Sequence, residues 1–210
     1  MKTSQILIAF IFFSVNLLGQ TAEGKAVKEC FEKYKAAIMN DKGEDAANWV
    51  DQNTINYYSS VLAKVRNADS ATVDQLSLLD KLMVFSIRHR ARVEEIKTMD
   101  GKGLIVYAIK NGMVGKNSVA RNSIGDITIN GKKAKGQVLV NDEKTPLYFE
   151  FNKEYEVWKM DLTSIFPVSE KAFRGMIDES GETENEFLFR VLKMLTNRDV
   201  TGDIWKPVGK

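Results

Sequence analysis

The chain carries a single cysteine and a single histidine in 210 residues. One cysteine excludes an intramolecular disulfide, and the two together cannot furnish a Cys/His zinc site. An excess of one charge is also missing. The 30 lysines and arginines face 28 aspartates and glutamates, so nothing electrostatic singles out nucleic acid or an anionic membrane as the main partner. No apolar run reaches the roughly 20 residues that a membrane-spanning helix needs. Internal repeats, low-complexity linkers and signatures of catalysis, cofactor or metal binding are absent as well, so no cofactor is expected.

What the N-terminus does have is Lys2, an apolar block from Ile6 to Val15, and then Asn16-Leu17-Leu18-Gly19-Gln20. A short positive start, an apolar stretch of about 7–15 residues and a small residue at the exit describe a secretory signal peptide. Residues 1–19 are expected to be cleaved, with Gln20 as the new N-terminus and a periplasmic or secreted destination. No cysteine stands at the cleavage region to receive a lipid anchor. The remaining chain, about 190 residues, suits one domain or one domain with an appendage.

Helical periodicity dominates the first half. Val27, Cys30, Phe31, Tyr34 and Ile38 recur at three- and four-residue steps up to the Asp41-Lys42-Gly43 break. A short segment, Glu44 to Val50, comes next. Ile55, Tyr58, Leu62 and Val65 mark a second face, and Leu76, Leu79, Leu82, Met83 and Ile87 a third. Leu104 to Ile109 fits strand or helix; Asp100-Gly101 before it and Asn111-Gly112 after it favour a short helix.

After Asn117 the period shortens to two. Ile127 and Ile129 alternate with polar residues up to Asn130-Gly131, a tight hairpin signal. Ala134, Gly136, Val138 and Val140 alternate next, then Leu147, Phe149 and Phe151 with Pro146 just before them. Trp158, Met160 and Leu162 complete a fourth strand, which turns Lys159 and Asp161 to the other face. Short loops between alternating strands predict an antiparallel meander with one buried face. Helices return in the tail, over Ser169 to Ser180 and again after Thr183-Glu184-Asn185-Glu186, which has the capping-box form. The fold class is therefore α+β.

The stretch Ile127 through Phe149-Glu150-Phe151-Asn152-Lys153-Glu154 to Trp158-Lys159-Met160-Asp161-Leu162-Thr163 resembles the closing strands of exported bacterial members of the nuclear-transport-factor-2-like superfamily, the cystatin-like, cone-shaped α+β fold. The resemblance covers roughly residues 25–165. It implies N-terminal helices packed in a curved antiparallel sheet over 20–165 and a pocket between sheet and helices. The helical C-terminal extension over 166–210 lies outside the usual pattern of the superfamily, and its apolar stripe, too wide to leave wet, predicts that it packs on the same domain. It implies little about activity, since members of the superfamily isomerise, dehydrate or only bind, and no enzyme motif of those branches can be laid on this chain.

Tyr34, Tyr58, Tyr107 and Trp158 are the pocket candidates, because each joins an apolar body to a polar tip; ordinary core packing accounts for them equally well. Arg88-His89-Arg90-Ala91-Arg92 is the densest polar cluster. It fits either a cradle for a phosphate or carboxylate, or cations gathered at a helix C-terminus. His89 has a pKa suited to general base work but no visible acidic partner. Asp161 is placed outward by alternation, Glu94-Glu95 is read as solvated, and Cys30 on its apolar stripe as a buried, inert thiol. The expectation is a non-enzymatic exported domain that binds a small ligand or a protein partner, with a homodimer open, no nucleic acid and no membrane span. A small-molecule isomerase, dehydratase or hydrolase is the rival.

Overall fold

The computed structural model describes the backbone of residues 4–208 and the side chains of residues 22–208. The expected signal peptide, residues 1–19, thus lies outside the described residues as far as its side chains are concerned. Among the described residues no helix is long and apolar enough to cross a membrane. The fold is α+β, with one open four-stranded antiparallel sheet and helices before and after it in the chain. Contacts divide the chain into two compact units, Met1–Asp51 with Ile109–Leu162, and Gln52–Ala108 with Thr163–Lys210.

In the first unit the long helix α1 (Ser4–Met39) leads into the single turn α2 (Gly43–Ala47). The sheet consists of β1 (Asn122–Asn130), β2 (Lys133–Val140), β3 (Glu143–Glu154) and β4 (Val157–Asp161), each beside the next. Three two-residue loops join the strands. Gly131 (φ 60°) opens the first, while Asn141 and Asp142 (φ 51° and 65°) and Tyr155 and Glu156 (φ 48° and 63°) form the others. Left-handed loop residues suit the twist of paired strands, and Asn and Asp tolerate that region far better than Tyr or Glu.

Alternation sends Ile124, Ala134, Val138, Phe151, Trp158 and Met160 to a buried face. They meet the stripe Val27, Cys30, Phe31, Tyr34 and Ile38 on α1, where Phe31 and Phe149 stack 5.7 Å apart. Gly136 is required here: a Cβ at that position would stand 2.7 Å from Ile124 Cγ2. The outer edge of β4 is covered by Trp49–Asp51. Met160 N donates to the Trp49 carbonyl at 2.8 Å, and Asp51 N donates to the Met160 carbonyl at 3.0 Å.

Three details differ from the pattern read in the sequence. Pro146 sits inside β3, not ahead of it, because the register jumps from Gln137↔Tyr148 to Leu139↔Lys144. At this bulge Thr145 Oγ1 donates to the Val138 carbonyl (2.8 Å) and Gln137 Nε2 to the Thr145 carbonyl (3.1 Å), replacing ladder bonds that proline cannot make. The same bulge leaves Leu147 exposed, so it does not share the inner face with Phe151. Asp161 is buried, at 8% exposure, where alternation placed it outward. It is the last residue of β4, and the chain turns directly into a 3-10 turn (Leu162–Ile165), so Leu162 does not extend the strand.

The second unit is helical: α3 (Gln52–Asn67), α4 (Ser70–Asp74), α5 (Leu78–Arg90), α6 (Val93–Thr98), α7 (Gly101–Lys110, whose last two residues belong to the first unit), α8 (Phe166–Ser180) and α9 (Glu184–Thr196). Val61, Leu62, Phe85, Ile87, Ile96, Leu104, Leu188 and Leu192 are the centre of its core. The start of α7 lies against α3 so closely that a Cβ on Gly101 would fall 2.2 Å from the Ile55 carbonyl oxygen. Caps set the helix ends. Asp69 accepts from Thr72 N ahead of α4, and Thr183 and Glu186 close the expected capping box on α9. Gly181 (φ 68°) ends α8. Lys81, nearly fully buried, is held by Glu184 at 2.8 Å and Asp74 at 3.7 Å.

Candidate functional site

The four aromatic pocket candidates fall in separate units. Tyr34 is buried in α1, and Trp158 is buried in β4, where its Nε1 donates to Glu23 at 2.7 Å. Tyr58 and Tyr107 are half-buried neighbours of the helical core of the second unit. Burial pushes the Tyr58 hydroxyl up to about 12 and raises that of Tyr107. Next to Tyr58, Tyr57 donates to Asp80 at 2.7 Å, and Lys64 reaches the other Asp80 oxygen at 2.8 Å.

A groove in the first unit has Trp49 at its middle. One cleft, of about 420 Å³, is lined by Lys33, Ala36, Ala37, Asn40, Lys42, Asp45, Asn48 and Trp49. A second, of about 250 Å³, is lined by Ala26, Glu29, Cys30, Lys33, Trp49, Glu156, Val157 and Trp158. Lys33 and Trp49 belong to both, so the two are neighbours with these side chains between them. Small alanines spaced along α1 open the space, and α2 with the segment after it supplies the opposite wall. The Trp49 ring carries two cations, Lys33 Nζ at 4.6 Å and Lys159 Nζ at 5.2 Å from its centroid. Such contacts draw on the negative face of the indole. Lys159 also donates to the Asn48 carbonyl, and Lys33 pairs with Glu29 at 2.6 Å. The groove therefore offers an aromatic surface, two amide side chains, and charges of both signs.

Cys30 lines this groove but is not poised for chemistry. Burial pushes its thiol up to about 12, outweighing the nearby Lys159 and Lys33, and Sγ approaches the Trp49 carbonyl at 3.7 Å. A thiol attacks only as thiolate. The one histidine lies in the other unit.

The Arg88–Arg92 cluster, at the end of α5, divides among three roles. Arg88 is structural: its guanidinium donates to the carbonyls of Val65 (3.0 Å), Lys64 (3.1 Å) and Ala68 (2.6 Å) at the end of α3, and of Ile204 (2.9 Å). Burial draws its pKa down to about 10, so it remains charged at neutral pH. Arg92, just ahead of α6, donates its backbone N–H (2.9 Å) and its Nη2 (3.1 Å) to the Glu95 carboxylate, which gives Glu95 a partner that its reading as solvated lacked. Arg90 has neither kind of partner, and its Nε is buried without an acceptor. His89 Nε2 lies 2.9 Å from Thr196 Oγ1, and the Thr196 hydroxyl donates to the Leu192 carbonyl at 2.7 Å. That hydroxyl has one proton, so Nε2 must be the donor to it. Burial, then the charges of Arg198 and Arg90, lowers the pKa of His89.

Beside His89 is a cleft of about 380 Å³ lined also by Arg88, Thr201, Asp203 and Lys206. Both its cations are engaged, Arg88 with carbonyls and Lys206 with Asp203 at 2.8 Å. Among the described residues no cluster of three or more His, Cys, Asp or Glu could hold a metal ion. Sequence reasoning did not single out Trp49, Lys33 or Arg198; each acquires meaning only from neighbours distant in the chain. No family model matches the chain, and neither a curated protein nor a solved structure matches it significantly.

Proposed function

We propose that the chain is an exported, non-enzymatic binding module that holds a small polar ligand in the groove around Trp49. One observation carries the reading: two neighbouring clefts, each large enough for part of a small molecule, share Lys33 and an aromatic ring between amide and charged side chains. The state of Cys30 favours binding over covalent catalysis, because its thiol stays protonated at neutral pH. Export rests on Lys2, the Ile6–Val15 block and Gly19. Intact-mass measurement on protein from its native host is expected to give a chain beginning near Gln20.

Thermal-shift screening against small polar molecules (sugars, amino acids, dicarboxylates) tests the binding reading. Hits are expected to lose their effect in Trp49→Leu and in Lys33→Met. Hits that act equally on both variants, or that the protein converts to a product, contradict it.

A further inference from the structure

The cleft beside His89 belongs to the second unit alone, and its lining is partly polar and partly apolar. Arg88 is part of the polar lining. A guanidinium has five N–H donors, and Arg88 spends four of them on the carbonyls of Val65, Lys64, Ala68 and Ile204. Nε and Nη2 serve the first three, none of which lines the cleft, whereas Nη1 serves Ile204, which does. Nη1 is thus the nitrogen turned toward the cleft, and among the described residues its second N–H has no acceptor.

Thr201 precedes the 3-10 turn Gly202–Trp205, and its exposed side chain does not cap that turn, so its hydroxyl is open to a ligand. Val93, Pro207 and Val208 supply the apolar lining. Val93 is 42% exposed, a surface that a ligand would remove from water. Of the charged lining residues, Arg88 and Lys206 are positive and Asp203 is negative. His89 is neutral at pH 7, because burial and then the charges of Arg198 and Arg90 hold its pKa below 6.5. The sum is one positive charge. The Lys206–Asp203 pair is exposed on both sides, so it holds neither partner firmly.

We propose that this cleft binds a small amphipathic monocarboxylate, with its carboxylate on Arg88 Nη1 and the Thr201 hydroxyl and its apolar body against Val93, Pro207 and Val208. A hydrogen bond from a guanidinium to a carboxylate is charge-assisted and stronger than a neutral one. One net positive charge matches one negative charge; a phosphate dianion would be left half-neutralised, and it would cover none of the apolar lining. The volume, about 380 Å³, lies within the range of small-molecule sites. This site is separate from the Trp49 groove and does not depend on it.

The test is calorimetry on the full chain at pH 7 and constant ionic strength, with benzoate, benzyl alcohol and acetate as probes. Benzoate has both the charge and the apolar body, and is expected to bind with a dissociation constant of about 1 mM or below. Benzyl alcohol lacks the charge and acetate lacks the body, so each is expected to bind at least about tenfold more weakly. Val93→Glu sets a negative charge against the bound carboxylate and is expected to weaken benzoate about tenfold or more. Val93 is an exposed first residue of α6, where an acidic side chain suits the helix, so this variant is expected to fold. Thr201→Val removes only the hydroxyl and is expected to weaken benzoate about threefold; it serves as the second variant should the first fail to fold. A benzoate constant above about 1 mM in the unaltered chain overturns the proposal. So does benzyl alcohol or acetate binding as tightly as benzoate, or benzoate binding that neither substitution weakens.

Discussion

Trp158 donates its indole N–H to Glu23 at 2.7 Å, and this bond fastens the last strand of the sheet to α1. Lys153 reaches the other Glu23 oxygen at 3.0 Å. Hydrogen bonds from Lys153 and then Trp158 hold the Glu23 carboxyl below its usual range. Trp158→Ala removes a buried aromatic and this tie together, and is expected to cost about 3–5 kcal/mol in chemical denaturation. A loss below about 1 kcal/mol would mean that the side chain is not packed as described. Because the folded pKa of Glu23 is depressed, its contribution is present above the ordinary value of 4.5 and fades as pH falls below it.

Arg88 joins the end of α3 to Ile204 through four carbonyl acceptors. Arg88→Met is expected to destabilise by at least about 2 kcal/mol, since several half-buried carbonyls lose their donor. Urea unfolding monitored by circular dichroism checks this. An unchanged midpoint would show that water replaces the guanidinium without cost.

The β3–β4 loop places Tyr155 and Glu156 in left-handed conformations, and Tyr155 is 99% exposed, so no packing recompenses it. Replacing the pair by Asn-Gly, the favoured sequence for a loop of this kind, is expected to stabilise by about 1 kcal/mol. Glu156 also pairs with Lys153 at 3.0 Å, but exposed ion pairs contribute less than that. A fall in melting temperature in the double variant would contradict the loop geometry.

His89 ties its pH response to the same packing. Burial first, then Arg198 and Arg90, holds its pKa below 6.5 in the folded chain. Above 6.5 the ring is neutral both folded and unfolded, and stability is at its full value. As pH falls through 6.5 the unfolded chain takes up its proton first, so stability declines until the folded pKa is also passed. Denaturation midpoints between about pH 7.5 and 5 are expected to fall less steeply in His89→Gln than in the unaltered chain. Equal slopes would remove His89 from the account.

Much of the fold was legible because its signals are local. The Asn130-Gly131 hairpin, the alternation of Trp158 with Met160, and the Thr183–Glu186 capping box each depend on residues a few positions apart, and each is present. Gly101–Lys110 is helical as its flanking turn residues indicated. Alternation failed where tertiary structure overrides period two. At Pro146 a bulge absorbs the missing N–H, and at Asp161 the strand stops and turns. The candidate sites were less readable. Trp49 has no periodic partner in sequence, and its role comes from Lys33 on α1 and Lys159 on β4. His89 was visible as part of a cluster, but Arg198 reaches its carbonyl only through the folding of the tail.

Fluorine NMR of the chain labelled with 5-fluorotryptophan tests the proposed groove most directly, because the protein has three tryptophans. Trp49 and Trp158 line the groove, and Trp205 packs on Phe85 in the other unit, 4.8 Å between ring centroids. A hit from the polar-ligand screen is expected to shift the Trp49 resonance most and Trp158 less, with Trp205 unmoved. A titration in which Trp205 alone responds, or in which Trp49 stays fixed while the ligand binds, would contradict the assignment of the groove as the binding site.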